Sequence, residues 1–230
     1  MVDKETKTEE LLTIAKSKLD IHGMVEFQQD SQLGFPAVTS SNNDCSHHLI
    51  QYKGQISVGT LFHEVCHVKL NEIGFKKVEL RIAKNTDEAT KIALMLVAEA
   101  YADSLSLKFF NEECEDVKDL DSCYLLPNSV LNGIKNSKNV TNRLLFIGMA
   151  PAYIIAEKWN GHNLEKAIRA TFQEALGKSK NLEAFNEILM IMSNLPSIKV
   201  NNSSIIQFSN EDLDLVFNAV TELIKTLMSE

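Results

Sequence analysis

The sequence predicts an α+β fold that is mostly α, with a small sheet of two or three strands in the first 60 residues and a helical second half. Three observations carry this. Apolar residues recur at helical spacing over most of the 230 residues. Short strand-like stretches occur only before residue 60. The second half shows no strong strand signal, no internal repeat and no low-complexity tract.

The elements follow in order. Leu11, Leu12, Ala15 and Leu19 fall on one face of a helix over residues 4–19, ended by Asp20 to Gly23. Met24-Val-Glu-Phe is short enough to be a strand. Residues 29–46 hold Gly34, Pro36 and a Thr-Ser-Ser-Asn-Asn-Asp cluster and read as a loop. His48-Leu-Ile-Gln-Tyr alternates loosely and reads as a strand before Gly54. A helix runs from about Ser57 to Glu72 and stops at Gly74. A long helix covers residues 85–110, with Asn85 and Glu88 spaced as a capping box. Asn111 to Ser122 is acidic and reads as a solvated loop. Further helices cover roughly residues 138–158, 163–176, 181–194 and 210–228, separated by Gly161, Gly177 and the stretch around Pro196. Residues 1–122 are expected to form a catalytic region and residues 123–230 a helical region packed on it. There is no clear linker, so a single domain is equally open.

Charge and composition exclude several classes. The net charge is −8 and the pI about 5.3. So acidic a surface repels phosphate backbones, which argues against nucleic acid as a partner. No apolar run approaches the roughly 20 residues that span a bilayer. The longest, Leu144 to Ala156, contains Gly148 and Pro151 and reads as a buried helix. The first ten residues, MVDKETKTEE, carry no apolar segment, so no signal peptide and a cytoplasmic location are expected. In that compartment Cys45, Cys66, Cys114 and Cys123, which form no CxxC pair, are expected as free thiols rather than with a Cys114–Cys123 disulfide. The sequons at Asn139 and Asn202 are expected to stay unmodified.

The chemistry is concentrated in Leu61-Phe-His63-Glu64-Val-Cys-His67-Val-Lys-Leu70, an HExxH pattern on an expected helix. A chain of this composition holds about 0.01 such matches by chance. Imidazoles at i and i+4 lie about 40° apart around a helix axis and can grip one metal ion from the same side. Glu64, about 100° from His63, can flank the metal as a general base toward water. Leu61, Val65 and Val68 fall on the opposite arc, where they can enter a core. Cys66 is read as a small buried residue rather than a ligand.

Zinc that keeps a position open for water needs a third protein ligand. His22, His47, His48 and His162 are poorly spaced for it, and Val68 to Gly74 do not continue a HExxHxxGxxH pattern. A carboxylate is the alternative. Glu99, in Leu96-Val-Ala-Glu99-Ala-Tyr-Ala-Asp103, is the foremost candidate because a charge inside an apolar helix needs a partner. Glu72, Glu79 and Glu88 are rivals. Asp103 shares the face of Glu99 and could orient a ligating imidazole. The ExxxD spacing alone is weak, since it recurs at Glu26/Asp30, Glu112/Asp116 and Glu115/Asp119.

HExxH followed on a later helix by ExxxD resembles the gluzincin class of zinc metallopeptidases, whose best-known fold is that of thermolysin. Residues 47–107 also resemble the small intracellular peptidases that cleave phage-type repressors, through the strand, Thr60-Leu-Phe-His-Glu-Val-Cys-His and Ala98-Glu-Ala-Tyr-Ala-Asp. The resemblance implies a zincin-like active-site helix, Zn2+ held by His63, His67 and Glu99, Asp103 behind a zinc-bound histidine, and Glu64 as base and proton shuttle. It implies a peptide or protein substrate, lying extended against the strand before the active-site helix. The chain departs from thermolysin in a longer gap from His67 to Glu99 and in Ala98, where that pattern has Asn. Residues 125–230 resemble no family. Tyr101, Tyr153 and His162 are weaker candidates for stabilising an oxyanion. The opposing expectation is a non-catalytic, zinc-stabilised helical binding or scaffold protein.

Overall fold

The computed structural model describes residues 4–82, 87–116, 127–197, 200–201, 204–205 and 210–229. Helix α1, Lys4–Leu19, buries Ala15 and Leu19 as its apolar spacing requires, and the chain turns at Asp20 with φ 52°. Three strands follow, β1 Met24–Gln29, β2 Ala37–Ser41 and β3 His47–Tyr52. Their order is β1-β3-β2, with β1 parallel and β2 antiparallel to β3. Strand β2 lies inside the stretch expected as a loop. Its Ala-Val-Thr-Ser-Ser carries no apolar alternation; pairing with β3 and contacts made by its hydroxyls supply what periodicity did not. The β2–β3 turn is held by Asp44, whose carboxylate accepts from the Ser46 amide and hydroxyl.

Helix α2, Val58–Leu70, begins where Ser57 Oγ accepts from the Thr60 amide at 3.1 Å. A π-turn, Asn71–Phe75, follows it, and the helical path breaks inside that turn at Gly74, as expected, because φ 120° is non-helical and only glycine adopts it without strain. A separate short helix, α3, Lys76–Ile82, starts beyond the kink.

Helix α4, Glu88–Asp116, is longer than expected. Asp87 Oδ1 accepts from the Thr90 amide at 2.7 Å, so Asp87 is the cap; Asn85 lies outside the described residues. At the other end residues 111–116 remain helical. The acidic stretch contains no Gly or Pro, and glutamate is a good helix former, so charge alone did not make a loop. Residues 117–122 and Asn202 lie outside the described residues, as does the expectation of free thiols at Cys114 and Cys123.

Helix α5, Pro127–Asn136, was not anticipated. Proline at the first helical position suits the missing N–H, and Val130, Leu131 and Ile134 form its buried stripe. Helix α6, Val140–Trp159, is capped by Asn139, whose carboxamide oxygen accepts from the Asn142 amide at 2.7 Å. The expected apolar run Leu144 to Ala156 is its buried part. Helices α7, Glu165–Leu176, α8, Lys180–Met192, and α9, Asn210–Ser229, follow, with a two-stranded hairpin of β4, Val200–Asn201, and β5, Ser204–Ile205, between the last two. The fold class is therefore α+β and mostly α, with a three-stranded N-terminal sheet and a helical C-terminal half.

The chain divides into two compact units, residues 1–80 with 105–124, and residues 81–104 with 125–230. The first holds the sheet, α1, α2 and the end of α4. The second holds the start of α4 and the later helices. No helix among the described residues is long and apolar enough to cross a membrane.

Candidate metal centre

Helix α2 is fixed by what it buries. Leu61, Phe62, Val65, Cys66, Val68 and Leu70 are all 0–1% exposed. Phe62 stacks on Phe110 with centroids 4.3 Å apart and planes within 10°. That contact holds α2 against the C-terminal part of α4, and Glu99 lies three turns earlier on the same continuous helix. With the apolar arc committed to the core, His63 and His67 occupy the half-buried remainder.

The two imidazoles meet edge to face at 75°, and His63 Nε2 stands 3.1 Å from His67 Nε2. Ligand atoms of His63, His67 and Glu99 all lie within 4.8 Å of one another. Among the described residues this is the group of three or more His, Cys, Asp and Glu side chains able to hold a metal ion. Leu96, Val97 and Ala100 around Glu99 are buried, as the apolar setting of this carboxylate suggested. Asp103 is buried one turn further along α4. Cys66 is a free thiol at zero exposure, a core residue.

Glu64 is 6% exposed. Its Oε2 accepts from Thr39 Oγ1 at 2.7 Å, and the same hydroxyl lies 3.1 Å from the Glu64 carbonyl oxygen. Sequence reasoning missed Thr39, because residues 29–46 read as a loop and nothing in a Val-Thr-Ser run signals a partner for a distant glutamate.

No known protein family, curated protein or solved structure matches the chain. The resemblance to gluzincins therefore rests on the motif residues alone.

The rival carboxylates have other partners. Glu72 Oε1 accepts from the His22 amide at 2.9 Å and the Gly23 amide at 2.7 Å, and stands 3.6 Å from His48 Nε2. Burial pushes the Glu72 carboxyl up, but the hydrogen bonds from His48, Gly23 and His22 and the Lys69 charge outweigh it, leaving it below the usual carboxylate range. Glu79 pairs with Lys76 Nζ at 2.9 Å, and Glu88 accepts from Thr141 at 2.6 Å.

The oxyanion candidates are likewise engaged. Tyr101 donates to the Pro196 carbonyl at 2.8 Å and stacks on Trp159 at 5.1 Å. Its burial holds the phenol well above the usual tyrosine range. Tyr153 donates to Glu157, and His162 Nδ1 meets the other oxygen of Glu157 at 2.5 Å. The strand before the active-site helix is also occupied: β3 is the central strand, paired on one side to β1 and on the other to β2. Among the described residues, the edge strand that carries the Glu64 contact is β2.

Proposed function

We propose that the chain is a zinc-dependent peptidase in which His63, His67 and Glu99 hold the metal and Glu64 acts as general base. The observation that carries the reading is the 3.1 Å separation of the two Nε2 atoms. Two nitrogens each about 2.0–2.1 Å from a tetrahedral zinc stand roughly 3.3 Å apart. Two such nitrogens cannot both carry a proton at this distance; with both protons on Nδ1, the lone pairs point at one place. Two imidazoles and a carboxylate also form a donor set used by catalytic zinc.

Bound there, zinc would polarise a scissile carbonyl and acidify water. Glu64 would take the water proton and return it to the leaving amine, so that one carboxylate serves as base and then as acid. An extended peptide would add to the outer edge of β2. The Asn42 amide bonds the His47 carbonyl, and the Lys53 amide bonds the Pro36 carbonyl. With this phase the main-chain groups of Ala37, Thr39 and Ser41 point away from β3. Free thiols at Cys45 and Cys66 suit a reducing, cytoplasmic setting.

One observation favours the scaffold reading: Glu64 is nearly buried and already hydrogen-bonded. Glu64→Gln separates the two. A peptidase should keep about one zinc per chain and lose turnover of a peptide library by roughly 10²–10⁴-fold. Undiminished turnover in that variant would remove Glu64 as base. Zinc-loaded parent that cleaves no library peptide would favour the scaffold, and parent protein that takes up no zinc would end both.

A further inference from the structure

The side chain of the proposed base is held by a residue outside the motif. In β2 the side chains of Ala37, Thr39 and Ser41 share one face. Two of them reach the HExxH helix and its continuation. Ser41 Oγ accepts from Asn71 Nδ2 at 2.8 Å, at the start of the π-turn, and Thr39 Oγ1 reaches Glu64. Thr39 has one hydroxyl proton and two acceptors on the same residue, the carboxylate oxygen at 2.7 Å and the carbonyl oxygen at 3.1 Å. The shorter, charge-assisted bond to the carboxylate is the stronger.

We infer that Thr39 is a positioning residue for Glu64, a conclusion that rests on reading Glu64 as the base. A glutamate has three side-chain torsions, and a base off its line by an ångström loses much of its rate. The Thr39 hydroxyl ties Oε2 to the sheet, which leaves Oε1 as the oxygen that meets water. Thr39 is β-branched and in a paired strand, so its own rotamer is restricted and the anchor is stiff. The main chain of the same residue points away from β3, to the outer edge of β2. A peptide pairing there would lie against the residue that orients the base.

The test compares Thr39→Val, which keeps shape and branching but deletes the hydroxyl, with Thr39→Ser, which keeps the hydroxyl. Thr39→Val should bind zinc as the parent does, hold KM within about twofold and lower kcat by about 10–100-fold. Thr39→Ser should recover most of that loss. A structural role would lower the folded fraction or zinc content and would not split kcat from KM. A second readout needs no turnover. In chelated protein, the effects of Thr39→Val and Glu64→Ala on the unfolding equilibrium constant should combine to less than their product, by about fivefold. Parent-like kcat in Thr39→Val, an equal fall in Thr39→Ser, or effects that simply multiply would each overturn the inference while leaving the peptidase reading intact. Absence of turnover in zinc-loaded parent would remove that reading, and this one with it.

Discussion

Two groups of histidine and carboxylate stand near one another along the chain and satisfy themselves in opposite ways. At His48 both ring nitrogens face protein. The imidazole is fully buried, Nδ1 lies 2.7 Å from Ser41 Oγ, and Nε2 faces Glu72. An ionised carboxylate only accepts, so the ring proton belongs on Nε2 and Nδ1 takes the Ser41 hydroxyl. Glu72 Oε1 accepts from two main-chain amides, and Lys69 Nζ stands 3.7 Å from Oε2. Gly23 is pressed onto the ring so closely that a Cβ there would meet His48 Nε2 at 2.4 Å. At His63 and His67 the two Nε2 atoms face each other with Glu99 close by. The contrast is one of geometry more than residue type. One imidazole stands among groups of complementary sign, a hydroxyl at Nδ1 and a carboxylate facing Nε2. The other two bring like atoms together at 3.1 Å, where the nitrogens share one ring proton or, with both protons on Nδ1, face a cation.

The largest effect that would break this contrast is on metal binding. His67→Ala or Glu99→Ala, each removing one of three proposed ligands, should lower zinc affinity by well over the 10–100-fold typical of an outer-shell loss. His48→Gln should leave affinity within a few-fold of the parent. Calorimetric or chelator-competition titration reads both. Zinc lost equally from the His48 variant would erase the distinction. Asp103→Ala sharpens the picture at the next level down. As a group orienting a ligand, it should cost about 10–100-fold in affinity; an unchanged titration would leave Asp103 with packing alone.

Stability should respond the other way round. His48→Gln leaves Ser41 and Glu72 with imperfect partners in a buried place, and should destabilise the chelated protein by about 1–3 kcal/mol. The ligand variants should cost little in chelated protein. In zinc they should forfeit the linkage term that binding adds to the parent, about 2.7 kcal/mol at a hundredfold excess over Kd. Urea unfolding with and without chelator measures both. A ligand variant as unstable in chelator as His48→Gln would mean that the two groups do the same structural job.

How far the sequence disclosed each group follows from the range of the interactions that build it. HExxH was legible because both histidines and the glutamate lie on one helix, where a 3.6-residue repeat sets their angles without help from the rest of the fold. Glu99 stood out as a charge in an apolar helix; that its ligand atom lies within 4.8 Å of those of the histidines is long-range geometry that no local pattern encodes. Thr39 and Ser41 were not legible. Their strand is recruited by β3 rather than declared by its own alternation. The His48–Glu72 pair stayed hidden for a related reason. Glu72 ends the helix that Gly74 stops, and its bonds to the His22 and Gly23 amides join segments far apart in the chain, which no local pattern encodes. Helix α5 and the helical end of α4 were missed because a short amphipathic stripe behind a proline, and a run of glutamates, both resemble loop composition.

The smallest expected effect is on acid stability, and it isolates the His48 group from the metal. The Glu72 carboxyl titrates below its ordinary range because the His48, Gly23 and His22 bonds and the Lys69 charge more than offset burial. A carboxyl depressed by folding stabilises the native state fully above its unfolded value, about 4.3. That contribution is lost as the pH falls through the lower folded value, because the unfolded chain then takes up a proton first. Glu72→Gln cannot ionise and so lacks this dependence. In chelated protein, the stability gap between parent and Glu72→Gln should therefore be at its full size above about pH 5 and should narrow steadily below about pH 4. Chelation matters because metal affinity falls on acidification as its ligands protonate, which would add a slope from the other group. Denaturant melts at several pH values from 3 to 7 would read the gap. A gap that stays constant across that range would mean that Glu72 gains nothing from its charge, and that the His48 group is held by shape and neutral hydrogen bonds alone.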